Sequence, residues 1–313
     1  LIKVEVKKDH LDKISRAPVL TALTELVWNA FDADADLVQV TIDRTDFGLQ
    51  AVHIKDDGIG IIHKDSKKLF SSLGGSWKGQ KGVSPKGRFL HGKEGQGRFK
   101  SFAIGRVVEW NTSFYDGENV LSYTMKGKAD NKGIFYPTSP KFNGNQSTGT
   151  TVSIYEPYKE FTSINKERLL EHFSSVFAIY LSQYKSIKLY VDGDLVDPEG
   201  QIKHKTNLPI DNALFENVEY PYELEIIEWK CNTTHELQLC NNNGFPLLPY
   251  EKAIRGTGEF SYTAYLKSDH ISKLNTLGIL GLAELEPSLS KPIDAAISAL
   301  KNHFMLRRLE LSA

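Results

Sequence analysis

Between Ala17 and Asp43 the chain carries no Lys or Arg, and the apolar residues in the first half of that stretch recur with a helical period. Val19, Leu20, Leu23, Leu26, Val27, Ala30 and Phe31 share one face of a helix spanning about residues 17 to 33. Such a helix must lay that face on a core, which fixes the direction of its polar side. At about 100° per residue, Glu25, Asn29 and Asp32 fall on one stripe roughly 60° wide. Exposed helices usually mix the two signs of charge for weak pairwise support. This one does not. Oxygen groups of this kind suit Mg²⁺, and a carboxylate one turn away can take a proton from an attacking water. A solvated helix face would carry the same residues, and the stripe alone does not separate the two.

Two alternating segments follow: "LVQVTID", with Val38, Val40 and Ile42 inward, and "LQAVHIKDD", with Val52 and Ile54 inward. From His63 to Lys100 regular patterning fails, 8 of 38 residues are glycine, and a long loop is expected. Further strands are expected at "NVLSYTMKG" and "TTVSIYEP", and one helix through "NKERLLEHFSSVFAIYLSQY". The pattern loosens near 200 to 220, where a domain boundary is placed. Beyond it lie strands at "YELEIIEWKC", "HELQLCNN" and "FSYTAYLKS" and a helix from about Pro292 to Leu309. Strands and helices mix without a steady alternation, which favours an α+β architecture.

Three glycine- or threonine-containing stretches accompany the acidic helix. "KDDGIGI" ends the second strand; Gly58 and Gly60 would let a ligand approach the backbone, and Asp56 could accept a hydrogen bond from an exocyclic amine. An Asp-Gly turn alone reads the same way. "HGKEGQGRFKS", with Gly92, Gly95 and Gly97, runs into a helix whose free N–H groups can cradle phosphate. It has neither the spacing of a Walker loop nor the preceding strand of a dinucleotide fingerprint. Residues 63–100 hold ten Lys or Arg against Asp65 and Glu94, a local charge of +8 that a solvated loop, a phosphate lid or a nucleic-acid contact would share. In "STGTTVSI", Thr150 at a strand start can bond a base directly or through water.

In this order, Glu-x-x-x-Asn-x-x-Asp-Ala, Asp-Asp-Gly-x-Gly, Gly-x-x-Gly-x-Gly and Gly-Thr, the set resembles the GHKL superfamily of ATPases over roughly residues 1 to 200. The resemblance implies a Bergerat-type α/β sandwich, a mixed sheet with helices on one face, and Mg²⁺-dependent binding and hydrolysis of ATP. It makes Glu25 the general base, Asn29 the Mg²⁺ ligand and Asp56 the partner of the adenine amine, with Thr150 supporting it. Gly58 and Gly60 would line the base pocket, Gly92, Gly95 and Gly97 the triphosphate, and residues 63–97 the ATP lid. The Lys-Ser pair after the glycines is similar to that of MORC-type members and offers Lys100 to phosphate. Residues 1–210 are thus expected as the ATP-binding domain and 215–313 as a smaller transducer-like domain, with Lys267 and Lys273 as candidate γ-phosphate sensors. Gyrase-type members carry histidine one turn before the base. Here Thr21 stands there, so Glu25 needs another orienting group.

The bulk properties leave this room. A net charge of −1 predicts no strong global attraction to nucleic acid or membrane. Two cysteines, Cys231 and Cys240, exclude a disulfide scaffold and favour a cytoplasmic setting. The initial Leu points to a fragment of a longer protein. By resemblance the chain dimerises on nucleotide binding and serves a DNA or protein client. A histidine-kinase-type phosphotransferase and a nucleotide-gated binding module are the rival readings.

Overall fold

The computed structural model describes residues 2–3, 17–71, 82–91, 97–131, 134–144, 147–233, 235–282 and 287–312. They form two compact units, one of residues 1–176 and 185–197, the other of 177–184 and 198–313.

The first unit is built on a ten-stranded mixed sheet of β1 (Ile2–Lys3), β2 (Leu37–Thr45), β3 (Gly48–Asp56), β4 (Gly105–Tyr115), β5 (Val120–Lys128), β6 (Ile134–Pro137), β7 (Lys141–Phe142), β8 (Gly149–Pro157), β9 (Lys188–Val191) and β10 (Asp194–Leu195). Its order is β1-β6-β5-β4-β8-β3-β2-β9-β10, with β7 beside β5. Among the described residues of this sheet only β2 and β9 pair in parallel; the other pairings are antiparallel. Helix α1 (Val19–Asp32) buries Leu23, Leu26, Val27, Ala30 and Phe31 of the face that its periodicity predicts, with Ala22 and Trp28 besides, while Val19 and Leu20 are half-buried. It ends where Asp34 turns into the left-handed region at φ 61°, a conformation that Asp tolerates better than most residues. The inward positions of β4, Val108, Trp110 and Phe114, bury the other side of this core and admit one polar residue, Thr112.

Two expectations here need correction. The stretch from His63 is not irregular throughout: His63–Ser71 is a helix, α2, that buries Ser66 and Phe70. Gly97–Lys100 forms a single helical turn, α3, after which a 3-10 turn at Ser101–Ala103 leads into β4. The single helix expected from "NKERLLEHFSSVFAIYLSQY" is two, α4 (Lys166–Val176) and α5 (Ala178–Gln183), parted at Phe177, whose backbone lies at φ −99° and ψ 5°. The second piece belongs to the second unit.

That unit carries a five-stranded sheet, β11 (Ile202–Phe215), β12 (Val218–Trp229), β13 (Glu236–Cys240), β14 (Pro246–Pro249) and β15 (Tyr262–Lys267), in the order β11-β12-β15-β13-β14. The loosened pattern near 200–220 is therefore a 14-residue edge strand. Most of its residues are exposed, and an edge position tolerates Pro209, whose missing N–H would break an inner ladder. Helices α6 (Asp269–Thr276) and α7 (Pro287–Ser312) supply Ile271, Leu274, Leu289, Ile293, Ala296, Leu300 and Phe304 to its core. α7 starts five residues before the expected Pro292, which is buried inside it. Cys231 and Cys240 are free thiols. Among the described residues no helix is long and apolar enough to cross a membrane.

Candidate functional site

Asp56 closes β3 and is buried, and its geometry is asymmetric. Oδ1 accepts from the backbone N–H of Gly58 at 2.9 Å and of Thr150 at 3.1 Å. Among the described residues Oδ2 has no hydrogen-bond partner. Burial raises the carboxyl to about 7, against the lowering effect of those two N–H groups. Beside it a cavity of about 510 Å³ is lined by Asp56, Thr112, Tyr123, Gly149 and Thr150, with Lys55 and Asn111 among the others. That volume suits a small organic ligand. A larger cavity of about 620 Å³, lined by Pro18, Phe102, Tyr158 and Phe161 among others, holds none of the candidate residues. Chemistry, not volume, selects the first.

Thr150 serves through its backbone, while its hydroxyl meets that of Thr112 at 3.0 Å. Thr112 in turn accepts from Ile61 N–H at 2.9 Å and so holds the turn after Asp56. Sequence reasoning passed over Thr112; its signal is a hydroxyl at an inward position of an otherwise apolar strand face.

Gly58 and Gly60 are required by close approach to protein. A Cβ on Gly58 would stand 2.5 Å from Ala33 O, and one on Gly60, at φ +71°, would stand 2.0 Å from Ser113 O. Gly60→Ala is expected to cost about 2 kcal/mol or more in a urea unfolding curve, since both strain and collision oppose it. Gly97 opens α3; Gly92 and Gly95 lie outside the described residues.

The acidic stripe finds its counter-charges in space. Lys100 Nζ donates to Glu25 Oε1 at 2.8 Å, with both side chains partly buried. Asp32 is buried, and its Oδ1 accepts from His91 N–H at 2.8 Å, while the His91 ring stacks on Trp28 at 3.6 Å. Asp34 accepts from the Ser84 hydroxyl and from Lys86 N–H. Asp36 pairs with Lys86 and Arg88. Burial alone would raise the Asp36 carboxyl, but hydrogen bonds from Lys86 and Arg88 outweigh it and hold the group below the usual carboxylate range. Of the stripe's three candidates, Glu25 is partly buried, Asn29 exposed and Asp32 buried. Thr21, which replaces the expected histidine, is exposed too; the group that orients Glu25 is Lys100. Next to it, Thr24 meets His172 at 2.9 Å and ties α1 to α4.

Other candidates are engaged elsewhere. In the second unit Lys267 pairs with Glu225 and Glu223, and Lys273 pairs with Glu216 and lies over the Phe215 ring. Tyr262 is fully buried, and it and Phe260 pack against Phe304. Asp43, His53 and Ser153 form a hydrogen-bonded series across β2, β3 and β8, at 2.9 and 2.8 Å. Ser153 is only 3% exposed, which denies it the access a nucleophile needs; the series braces the sheet.

Residues 17–150 match the family described as histidine kinase-, DNA gyrase B-, and HSP90-like ATPase. Over that segment, less than half of its length, the chain is similar to the GHKL-type ATPases. The match spans the acidic helix, the Asp56 turn and Thr150. A curated relative, the putative type II restriction enzyme HgiDII of Herpetosiphon aurantiacus, is 29% identical over 101 residues, which are 32% of this chain and 16% of that protein. The chain thus spans only a small part of that relative's length. Among solved structures, the ATPase region of Saccharomyces cerevisiae topoisomerase II is 14% identical over 79% of this chain and 72% of its own, with a TM-score of 0.47. The N-terminal domain of a DNA repair protein is 15% identical over 93% of this chain and 96% of its own, with a TM-score of 0.45.

Proposed function

We propose that this chain is a GHKL-type ATPase that binds ATP at Asp56 and hydrolyses it with Glu25 as the general base. The observation that carries the reading is the Asp56 carboxylate. Two backbone N–H groups consume Oδ1 and leave Oδ2 to accept from an exocyclic amine, in a cavity of nucleoside size. Adenine carries such a donor where guanine carries an acceptor. Glu25, on the polar side of α1, would take the proton of the attacking water. Lys100, beside it, would donate to the terminal phosphate.

Asn29 would hold Mg²⁺ through its carboxamide oxygen, and the ion would neutralise phosphate charge. Among the described residues no three His, Cys, Asp or Glu side chains come together as a metal site. A cation bound chiefly by water and phosphate is served by a single amide oxygen, so the donors present fit. Gly92, Gly95 and Gly97 would receive the triphosphate on backbone N–H groups. In the same reading residues 63–97 act as an ATP lid, residues 215–313 as a transducer-like domain, and two copies associate while ATP is bound. The curated relative makes DNA the client class to try first, by salt-dependent binding.

The test is phosphate release from ATP with Mg²⁺, alongside nucleotide binding. Turnover supports the ATPase. Phosphate found on protein with little released would mean a phosphotransferase, and tight binding without turnover a nucleotide-gated binding module. No binding removes the reading altogether.

A further inference from the structure

Arg88 is 4% exposed, in a stretch whose glycine content and charge suggest a solvated loop. Its guanidinium is spent on one short segment, the turn that follows α1. Nη1 donates to Ala35 O at 2.6 Å, and Nη2 pairs with the Asp36 carboxylate. Its own backbone N–H donates to Ser84 Oγ at 3.2 Å, and Ser84 bonds Asp34. Lys86 adds a bond to Asp34 O at 2.9 Å and one to Asp36 at 2.7 Å.

The same turn also carries the Asp56 loop. Asp57 Oδ1 accepts from the backbone N–H of both Asp36 and Leu37 at 2.8 Å. Asp57 N–H donates to Leu37 O at 3.2 Å, and Ile59 N–H to Ala33 O at 2.9 Å. Gly58 sits so close to Ala33 that a Cβ would strike its carbonyl. Residues 33–37 therefore form a seat. The loop that aims Asp56 rests on their backbone, and Arg88 holds the Ala35 carbonyl and the Asp36 carboxylate.

We infer that Arg88 is a positioning residue for base recognition, acting through the Ala33–Leu37 seat and not by touching the nucleotide. The inference rests on the assignment of Asp56 to adenine. If the seat slackens, Gly58 N–H moves, Asp56 Oδ1 loses one of its two fixed donors, and Oδ2 no longer points in a single direction. Sub-ångström placement of this kind governs how well a site tells one ligand from another.

The experiment compares the affinities of ATP and GTP for the wild type, Arg88→Met and Arg88→Lys. Arg88→Met should lower the ATP-over-GTP ratio at least tenfold, chiefly by weakening ATP. Arg88→Lys, which keeps the charge but not the two-pronged grip, should restore part of the ratio. A residue that merely holds the fold would lower the thermal midpoint and leave the ratio alone, so a folded Arg88→Met protein with a ratio within twofold of wild type overturns the inference. If Arg88→Met does not fold, Asp36→Ala reads the same question, because it removes one Arg88 acceptor from a half-exposed position; an unchanged ratio there also overturns it. A wild type that shows no preference for ATP, or no loss on Asp56→Asn, would instead refute the base assignment, which keeps the two failures apart.

Discussion

Asp56→Asn should lose about 100-fold in ATP affinity, near 3 kcal/mol, while the protein becomes no less stable. The reason lies in which oxygen is committed. Gly58 and Thr150 N–H groups both point at Oδ1, so an asparagine must keep its oxygen there. Its NH₂ then replaces Oδ2 and meets the adenine amine donor to donor. The same NH₂ suits a base with an acceptor at that position, so inosine triphosphate should bind the variant better than ATP does. The stability half follows from linkage. With its carboxyl raised to about 7 by burial, folded Asp56 holds a proton more tightly than the unfolded chain, whose carboxyl sits near 3.8. Its contribution to stability is fully present below about 3.8 and is lost as pH rises to about 7, and asparagine removes that loss. Binding runs the other way. An amine needs the ionised carboxylate, so wild-type affinity for ATP, divided by that of the variant to cancel phosphate ionisation, should rise up to about pH 7 and then level off. Calorimetry at several pH values, with thermal melts of both proteins, checks all three. A variant that binds ATP normally would remove Asp56 from the site.

The sequence disclosed the helix and its acids but not what the acids touch. Periodicity located α1 because seven apolar residues repeat with a single period and five of them, Leu23, Leu26, Val27, Ala30 and Phe31, are buried on one face. It could not show that Ser84, Lys86, Arg88, His91 and Lys100, fifty or more residues away, would meet Asp34, Asp36, Asp32 and Glu25. A stretch with no basic residue of its own signals only that partners must come from elsewhere. Asp32 shares the stripe with Glu25 and Asn29, and helical spacing does not reveal that its Oδ1 accepts from His91 N–H. Gly58 and Gly60 have the backbone freedom that a ligand's approach would need, but the surfaces that demand it are Ala33 and Ser113. β11 escaped notice for a different reason. An edge strand exposed on most of its length has no apolar alternation to read, and its proline argues against a strand unless the edge is already known.

The second large effect concerns Glu25 and its ammonium partner. Glu25→Gln should bind ATP within a few-fold of wild type and lose 10²–10⁴ in kcat, the range a general base supplies. Lys100→Met is more informative, since Lys100 has two routes to the rate. In the nucleotide-free protein its Nζ sits 2.8 Å from the Glu25 carboxylate, a contact that orients the base and also occupies one of its oxygens. A terminal phosphate would compete for the same ammonium and free the carboxylate as the substrate arrives. If Lys100 acts on chemistry through Glu25, the two losses in kcat will not add. In a Glu25→Gln background, Lys100→Met should leave kcat where it was and still raise the ATP Kd about tenfold, because the phosphate contact does not depend on the carboxylate. Single-turnover rates and equilibrium binding on the four proteins of this cycle separate the terms. Additive losses in kcat would mean that Lys100 meets the reacting phosphate independently of Glu25. A Kd unchanged by Lys100→Met would leave it with the carboxylate alone.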